Sequence, residues 1–155
     1  MRRLFLLILL ALPGLAMAQG IAPRPGWVII ATAKDPATLE ADLKQAVKAG
    51  GMGVVTQAGP TEAARKRGIT IPANRVIGVF NNDFAVRVLA TSTAAMIEAP
   101  IRFYVTGNDD GTATLSYKTP GFVLAPYLDE GGDTLAALAA ELDTRFAAIA
   151  KAATR

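Results

Sequence analysis

Two runs of strict alternation flank one glycine-bearing turn. Ile101, Phe103 and Val105 alternate with Arg102, Tyr104 and Thr106. After Asn108-Asp109-Asp110-Gly111, the residues Ala113, Leu115 and Tyr117 alternate with Thr112, Thr114, Ser116 and Lys118. Successive strand residues point to opposite faces, so period two on both sides of such a turn predicts a β-hairpin with one apolar face. Pro120 ends the second strand. An antiparallel pair with one apolar face needs a cover, and that need restricts the folds open to the chain.

The C-terminal segment supplies a cover. Asp133 is the expected N-cap of a last helix. Leu135, Leu138, Leu142, Phe146 and Ile149 then form one stripe. Burying five such side chains contributes roughly 8–15 kcal/mol at about 1.5–3 kcal/mol each. The ordering cost of the helix is comparable, at about 1–2 kcal/mol per residue. Such a helix is expected to dock on a sheet rather than stand alone.

Upstream, Trp27 to Ala31 is a short, β-branched apolar run, expected as a buried strand. Asp35 caps a helix with Pro36 at its first position, and Leu39, Leu43, Ala46 and Val47 recur at helical spacing. Gly50-Gly51 closes it. Met52 to Ala58 is a second strand. Thr61 is expected to cap a short helix through Arg67, closed by Gly68. Val76 to Phe80 is a third strand. Phe84 to Ala90 mixes strand and helix signals and is read as helix with Asp83 as cap. Ser92 is expected to cap a short turn through Ile97. The element order argues for an α+β fold, a mainly antiparallel sheet with helices packed on one face.

The N-terminus has a separate logic. Arg2 and Arg3 precede the unbroken apolar run Leu4 to Leu12, Pro13-Gly14 break it, and Ala16-Met17-Ala18 offers small residues for a signal peptidase. This pattern predicts a signal peptide over residues 1–18, cut after Ala18, and a periplasmic or secreted product with no membrane attachment after cleavage. An uncleaved anchor would need about 20 apolar residues. Residues 19–26, with Pro23 and Pro25, are expected as an extended tether, and 27–155 as a single domain. Removing 18 of 155 residues leaves 137, and removing two arginines takes the formal charge from +3 to +1. The basic balance of the whole chain is therefore no argument for nucleic acid.

The sequence contains no cysteine and no histidine. Disulfides, thiol chemistry, Cys/His zinc sites and histidine-based triads are thereby excluded. No cofactor and no metal is expected.

Several segments invite a functional reading. Gly50-Gly51-Met52-Gly53 resembles a phosphate loop but follows a helix and precedes a strand, the reverse of the dinucleotide fingerprint. Arg65-Lys66-Arg67 suits a helix C-terminus. Asp109 and Asp110, with Asp129 and Asp133, are the carboxylates on which a hydrolase would be built. Adjacent acids in a solvated turn do not acquire the raised pKa that general acid catalysis needs. Asp129-Glu130-Gly131-Gly132-Asp133 reads as a solvated loop ending in a cap. Asn81 and Asn82 follow a buried strand and place two amides at a sheet end, and they are also ordinary turn residues. Arg102, Tyr104, Tyr117 and Lys118 on the hairpin offer groups for an anion or a partner; the alternative is a plainly solvated face.

The hairpin also carries a resemblance. Ile101-Arg102-Phe103-Tyr104-Val105, Asp109-Asp110-Gly111 and Leu115-Ser116-Tyr117-Lys118-Thr119-Pro120-Gly121-Phe122-Val123-Leu124 resemble the centre of the Domain of Unknown Function 302 family. The glycine-closed helix before Gly53-Val54-Val55 and the strand ending Val79-Phe80-Asn81-Asn82 are similar too. The likeness spans roughly Lys34 to Leu128. Two departures stand out: Asn81-Asn82-Asp83 replaces a frequent Gly-Asn-Pro, and Thr56-Gln57-Ala58 stands where relatives often carry a histidine. The resemblance implies a β-α-β(4)-α domain of TATA-binding-protein-like architecture, often a homodimer, and implies no enzymatic activity. Architecture alone does not imply nucleic-acid binding.

The reading that results is a non-catalytic small-molecule-binding or accessory module of the periplasm. Its expected partners are a small molecule or a periplasmic protein, with no nucleic acid, and its site residues are Asn81, Asn82, Arg102, Tyr104, Tyr117 and Lys118. The alternatives are a carboxylate-dependent hydrolase and a structural protein–protein interaction module.

Overall fold

The computed structural model describes residues 20–155. The expected leader, residues 1–18, lies outside the described residues. The chain runs β1 (Trp27–Thr32), α1 (Pro36–Ala49), β2 (Gly53–Ala58), α2 (Thr61–Lys66), β3 (Asn74–Phe80) and α3 (Asn82–Thr91). A 3-10 turn (Ala94–Glu98) leads into β4 (Ile101–Gly107) and β5 (Ala113–Lys118). The chain ends with α4 (Pro120–Leu124), a second 3-10 turn (Ala125–Tyr127) and α5 (Leu128–Ala153). The strands form one antiparallel sheet in the order β1-β5-β4-β3-β2. This is the expected α+β fold. Among the described residues no helix is long and apolar enough to cross a membrane.

The hairpin register follows the alternation. Phe103 pairs with Tyr117, Val105 with Leu115 and Gly107 with Ala113. The side chains of Phe103, Val105, Ala113, Leu115 and Tyr117 face the helical layer and are buried. The stripe of α5 lands on them: Leu135, Leu138, Leu142, Phe146 and Ile149 are all buried. The Phe146 ring stacks on Phe103 at 4.6 Å between centroids, and Tyr117 meets Phe103 edge-on at 5.1 Å. Such aromatic pairs contribute about 0.5–1.5 kcal/mol beyond the area they bury. Helix α1 starts as its sequence dictates, with Asp35 accepting from the Ala37 and Thr38 amides.

Four local expectations are corrected. Helix α3 is capped by Asn81, not Asp83; the Asn81 side chain accepts from the Phe84 amide, and Asp83 lies in the first turn. Thr61 is the first residue of α2 rather than its cap, and its hydroxyl donates instead to the Pro72 carbonyl. The acidic run 129–133 is not a loop. Helix α5 already begins at Leu128 and is broken only at Gly132 (φ 56°), a backbone state that glycine adopts readily. Finally, Thr114 and Ser116 on the polar hairpin face are buried. They lie on β5 between β1 and β4, and Ser116 is flanked by the larger Ile29 and Tyr104.

The helices leave the opposite sheet face bare. By register that face carries Trp27 and Ile29 of β1, Ser116 and Lys118 of β5, Arg102 and Tyr104 of β4, and Asn74 and Val76 of β3. Gly78 shares it, and a Cβ there would collide with the Thr56 hydroxyl and crowd the Pro100 ring. Glycine is what allows β2 and the start of β4 to close over β3.

Candidate functional site

Where β4 begins and β5 ends, the bare face holds a depression of about 410 Å³. That volume lies within the range of small-molecule sites, about 300–1,000 Å³. Trp27, Asn74, Val76, Arg102, Tyr104 and Lys118 line it from the sheet. Glu98, Ile101, Tyr117 and Val123 complete its rim.

Three of the six residues singled out from the sequence thus meet on the bare face, Arg102, Tyr104 and Lys118, while Tyr117 borders the rim with its ring turned to the helical layer against Phe103 and Phe146. The two asparagines do not join them. Asn81 has both ends of its amide committed, Oδ1 accepting from the Phe84 amide at 3.1 Å and Nδ2 donating to the Gly51 carbonyl at 2.8 Å. It borders a separate apolar cleft under α3, with Phe84, Val88 and Phe146. Asn82 is the first residue of α3. Trp27, Asn74 and Val76 were not anticipated as site residues. Alternation along β1 is the signal that separates Trp27 and Ile29 from Val28 and Ile30. Only the strand order, which places β1 beside β5, puts Trp27 opposite Lys118.

Positive charge gathers around the indole. The Arg24 guanidinium lies 5.1 Å from the Trp27 ring centroid, and Lys118 Nζ lies 5.9 Å from it. Both are at cation–π distance. Asn74 Nδ2 donates to the Tyr104 hydroxyl oxygen, which leaves the Tyr104 proton free to be donated elsewhere. The acid on the rim, Glu98, accepts from the Tyr127 hydroxyl at 2.8 Å. That bond, with burial and the neighbouring carboxylates, raises the Tyr127 pKa. Burial, followed by the Asp143 carboxylate, raises that of Tyr117. Both phenols are therefore protonated at neutral pH.

The carboxylates proposed for hydrolysis are differently placed. Asp110 accepts from the Thr112 hydroxyl and amide at 2.6 and 2.9 Å, and these bonds hold its carboxyl below the ordinary value. That is the wrong direction for a general acid. Asp109 and Asp110 follow the end of β4, whereas Glu130 is tied to Ser92, ahead of the start of that strand. Seven strand residues, about 20 Å, separate the two groups. Paired glycosidase carboxylates stand about 5–9.5 Å apart. The Ser92 hydroxyl is itself used structurally, donating to Glu130 at 2.6 Å and accepting from the Ala95 amide at 3.1 Å.

The fold has a solved counterpart, the crystal structure of an uncharacterised conserved DUF302 protein from Bacillus stearothermophilus. It aligns with a TM-score of 0.73 and 21% identity, over 85% of this chain and 100% of that one. At that identity the likeness establishes the fold alone. Among curated proteins none matches this chain. The family model for the domain of unknown function DUF302 matches residues 28–153, nearly all of the described sheet and helices. The protein therefore belongs to the DUF302 family.

Proposed function

We propose that the protein is an exported, non-catalytic accessory module that binds a small molecule in the depression at the end of its bare sheet face. The observation that carries this reading is convergence: Arg102, Tyr104 and Lys118, from two strands, meet Trp27 from a third around one space of about 410 Å³. Export is supported by Arg2-Arg3, the apolar run that follows and Ala16-Met17-Ala18. The non-catalytic part rests on the absence of histidine and cysteine, on the separation of the candidate carboxylates and on the hydrogen bonds that hold the Asp110 carboxyl low.

Native mass spectrometry of the protein purified from its own periplasm tests the proposal. The expected spectrum shows a chain beginning at Gln19 with a non-covalent small molecule attached, and the attached mass disappears in Trp27→Ala. An empty spectrum from both proteins would overturn it. The same spectrum counts subunits, and so tests the homodimer implied by the family resemblance.

A second reading, a protein–protein interaction module, draws on Val86 and Leu89 of α3 and Ile97 of the turn after it. These large apolar side chains are 58%, 50% and 78% exposed. A monomer without ligand or protein partner in that spectrum would count against both readings.

A further inference from the structure

Granting that the depression binds a small molecule, we infer that its ligand is a planar organic anion, a carboxylate carried on an aromatic ring. Three independent features of the walls lead to this class.

The first is unbalanced charge. Elsewhere among the described residues five cations carry ion pairs, Lys34 with Asp42, Lys44 and Arg75 with Glu40, Arg65 with Glu62 and Arg87 with Glu141, while Lys48, Lys66, Arg67, Arg145, Lys151 and Arg155 carry none. Among the described residues no carboxylate pairs with Arg102 or Lys118, the two cations that line this depression, or with Arg24 beside Trp27. The acid on its rim, Glu98, is held by Tyr127. The neutral Tyr127 phenol does not cancel the Glu98 carboxylate, so the lining sets two cations, Arg102 and Lys118, against one acid.

The second is the direction of the hydrogen bonds. Arginine and lysine only donate, and the Tyr104 hydroxyl, with its oxygen occupied by Asn74, has its proton left to donate. On the sheet itself the donors Arg102, Lys118 and Tyr104 outnumber the one acceptor, the Asn74 amide oxygen, and so favour a ligand that accepts. A guanidinium matches the two oxygens of a carboxylate in one plane, which gives orientation as well as attraction.

The third is the apolar remainder of the wall. Trp27, Val76 and the Tyr104 ring supply apolar surface beside the cations. A strongly hydrated inorganic anion leaves that surface unused. An aromatic ring bearing the charge uses both parts, because its face packs on the aromatic wall while its carboxylate reaches Arg102 and Lys118.

Trp27 is the sole tryptophan of the chain, so its fluorescence reports this depression directly. The test is a titration of the full mature protein with benzoate, benzyl alcohol, cyclohexanecarboxylate and inorganic phosphate, followed at Trp27. The expected result is a saturable change with benzoate and at least tenfold weaker binding of the other three probes. Binding of benzoate should weaken as salt rises. Arg102→Ala and Lys118→Ala should each weaken it about tenfold. Both side chains are exposed on strands, so the variants should keep the parent circular dichroism spectrum. Should either fail to fold, the salt dependence of the parent protein decides.

Equal affinity for benzyl alcohol, or salt-insensitive binding, would overturn the anion. Equal affinity for cyclohexanecarboxylate would overturn the planar ring, and preference for phosphate would overturn the carboxylate. A neutral molecule in the native spectrum, lost in Trp27→Ala, would defeat this inference and leave the binding reading intact. An empty spectrum with no response to any probe defeats both.

Discussion

Asn81 shows how a residue chosen for its chemistry is consumed by the fold. Its amide has two ends, and each is spent on a different element. Oδ1 caps α3, while Nδ2 ties the start of that helix to the Gly51 carbonyl beyond the end of α1. Losing a cap of this kind costs about 0.5–2 kcal/mol, and a net hydrogen bond contributes about 0.5–1.5 kcal/mol. Asn81→Ala should therefore destabilise by about 1–3 kcal/mol in urea unfolding. Asn81→Asp keeps the acceptor and loses the donor, so it should cost measurably less. Equal losses in the two variants would show that the bond to Gly51 carries the whole effect. Neither change should alter Trp27 fluorescence, because Asn81 does not border the depression. At this scale the sequence indicated a polar residue at a sheet end but not its use. Deciding between Asn81 and Asp83 as cap required knowing where the backbone leaves the extended region, at φ −140° for Asn81. Trp27 is the converse. Its role at the depression depends on β1 lying beside β5, a pairing between residues about 90 apart that no local pattern encodes.

At the scale of elements, legibility follows the length of the pattern. The hairpin and the stripe of α5 each repeat a period several times, and both formed with the expected residues facing inward. The acidic run before Asp133 was misread because Gly131-Gly132 is a strong local breaker, while what opposes it is long-range. The Glu130 carboxylate accepts from the Ser92 hydroxyl, which fastens the first turn of α5 to the segment ahead of β4. Helix propensity on either side then leaves a single break at Gly132. The element that most needs its tertiary partner is α5, since its aromatic anchor touches both strands of the hairpin. Phe146 is fully buried against Phe103 and Tyr117. Phe146→Ala should cost about 3–5 kcal/mol, a large share of the about 5–15 kcal/mol that stabilises an ordinary domain. Thermal melts followed in the far ultraviolet check this, and a loss below about 1.5 kcal/mol would mean that the site refills by repacking.

For the whole molecule, the missing histidine and cysteine fix how stability responds to pH. Asp35 and Asp110 have carboxyl pKa values held below the ordinary 3.8, Asp35 chiefly by the Thr38 hydroxyl and Asp110 chiefly by the Thr112 hydroxyl. A depressed carboxyl pKa means that the unfolded chain binds more protons near pH 4. The stability it supplies is complete above the unfolded value and lost as pH falls through the folded one. Tyr117 and Tyr127 have raised phenol pKa values. For a phenol the sign reverses. The folded chain then holds more protons near pH 10, so the contribution is complete below that value and lost as pH rises through the folded pKa. Between the two limbs no imidazole or thiol exists to titrate. The urea midpoint should accordingly be level from about pH 5.5 to about pH 9 and fall on both sides. Asn is as good a cap as Asp but does not ionise, so Asp35→Asn should preserve the plateau and make the acid limb shallower. A step in the midpoint between pH 6 and 8 would contradict this account. Once the α-amino group, which titrates at about pH 8, is blocked by acetylation, such a step would point to a carboxyl group displaced upward by burial, which is what the hydrolase reading needs and what Asp110 is not. The same titration therefore also weighs the catalytic alternative, without knowledge of any substrate.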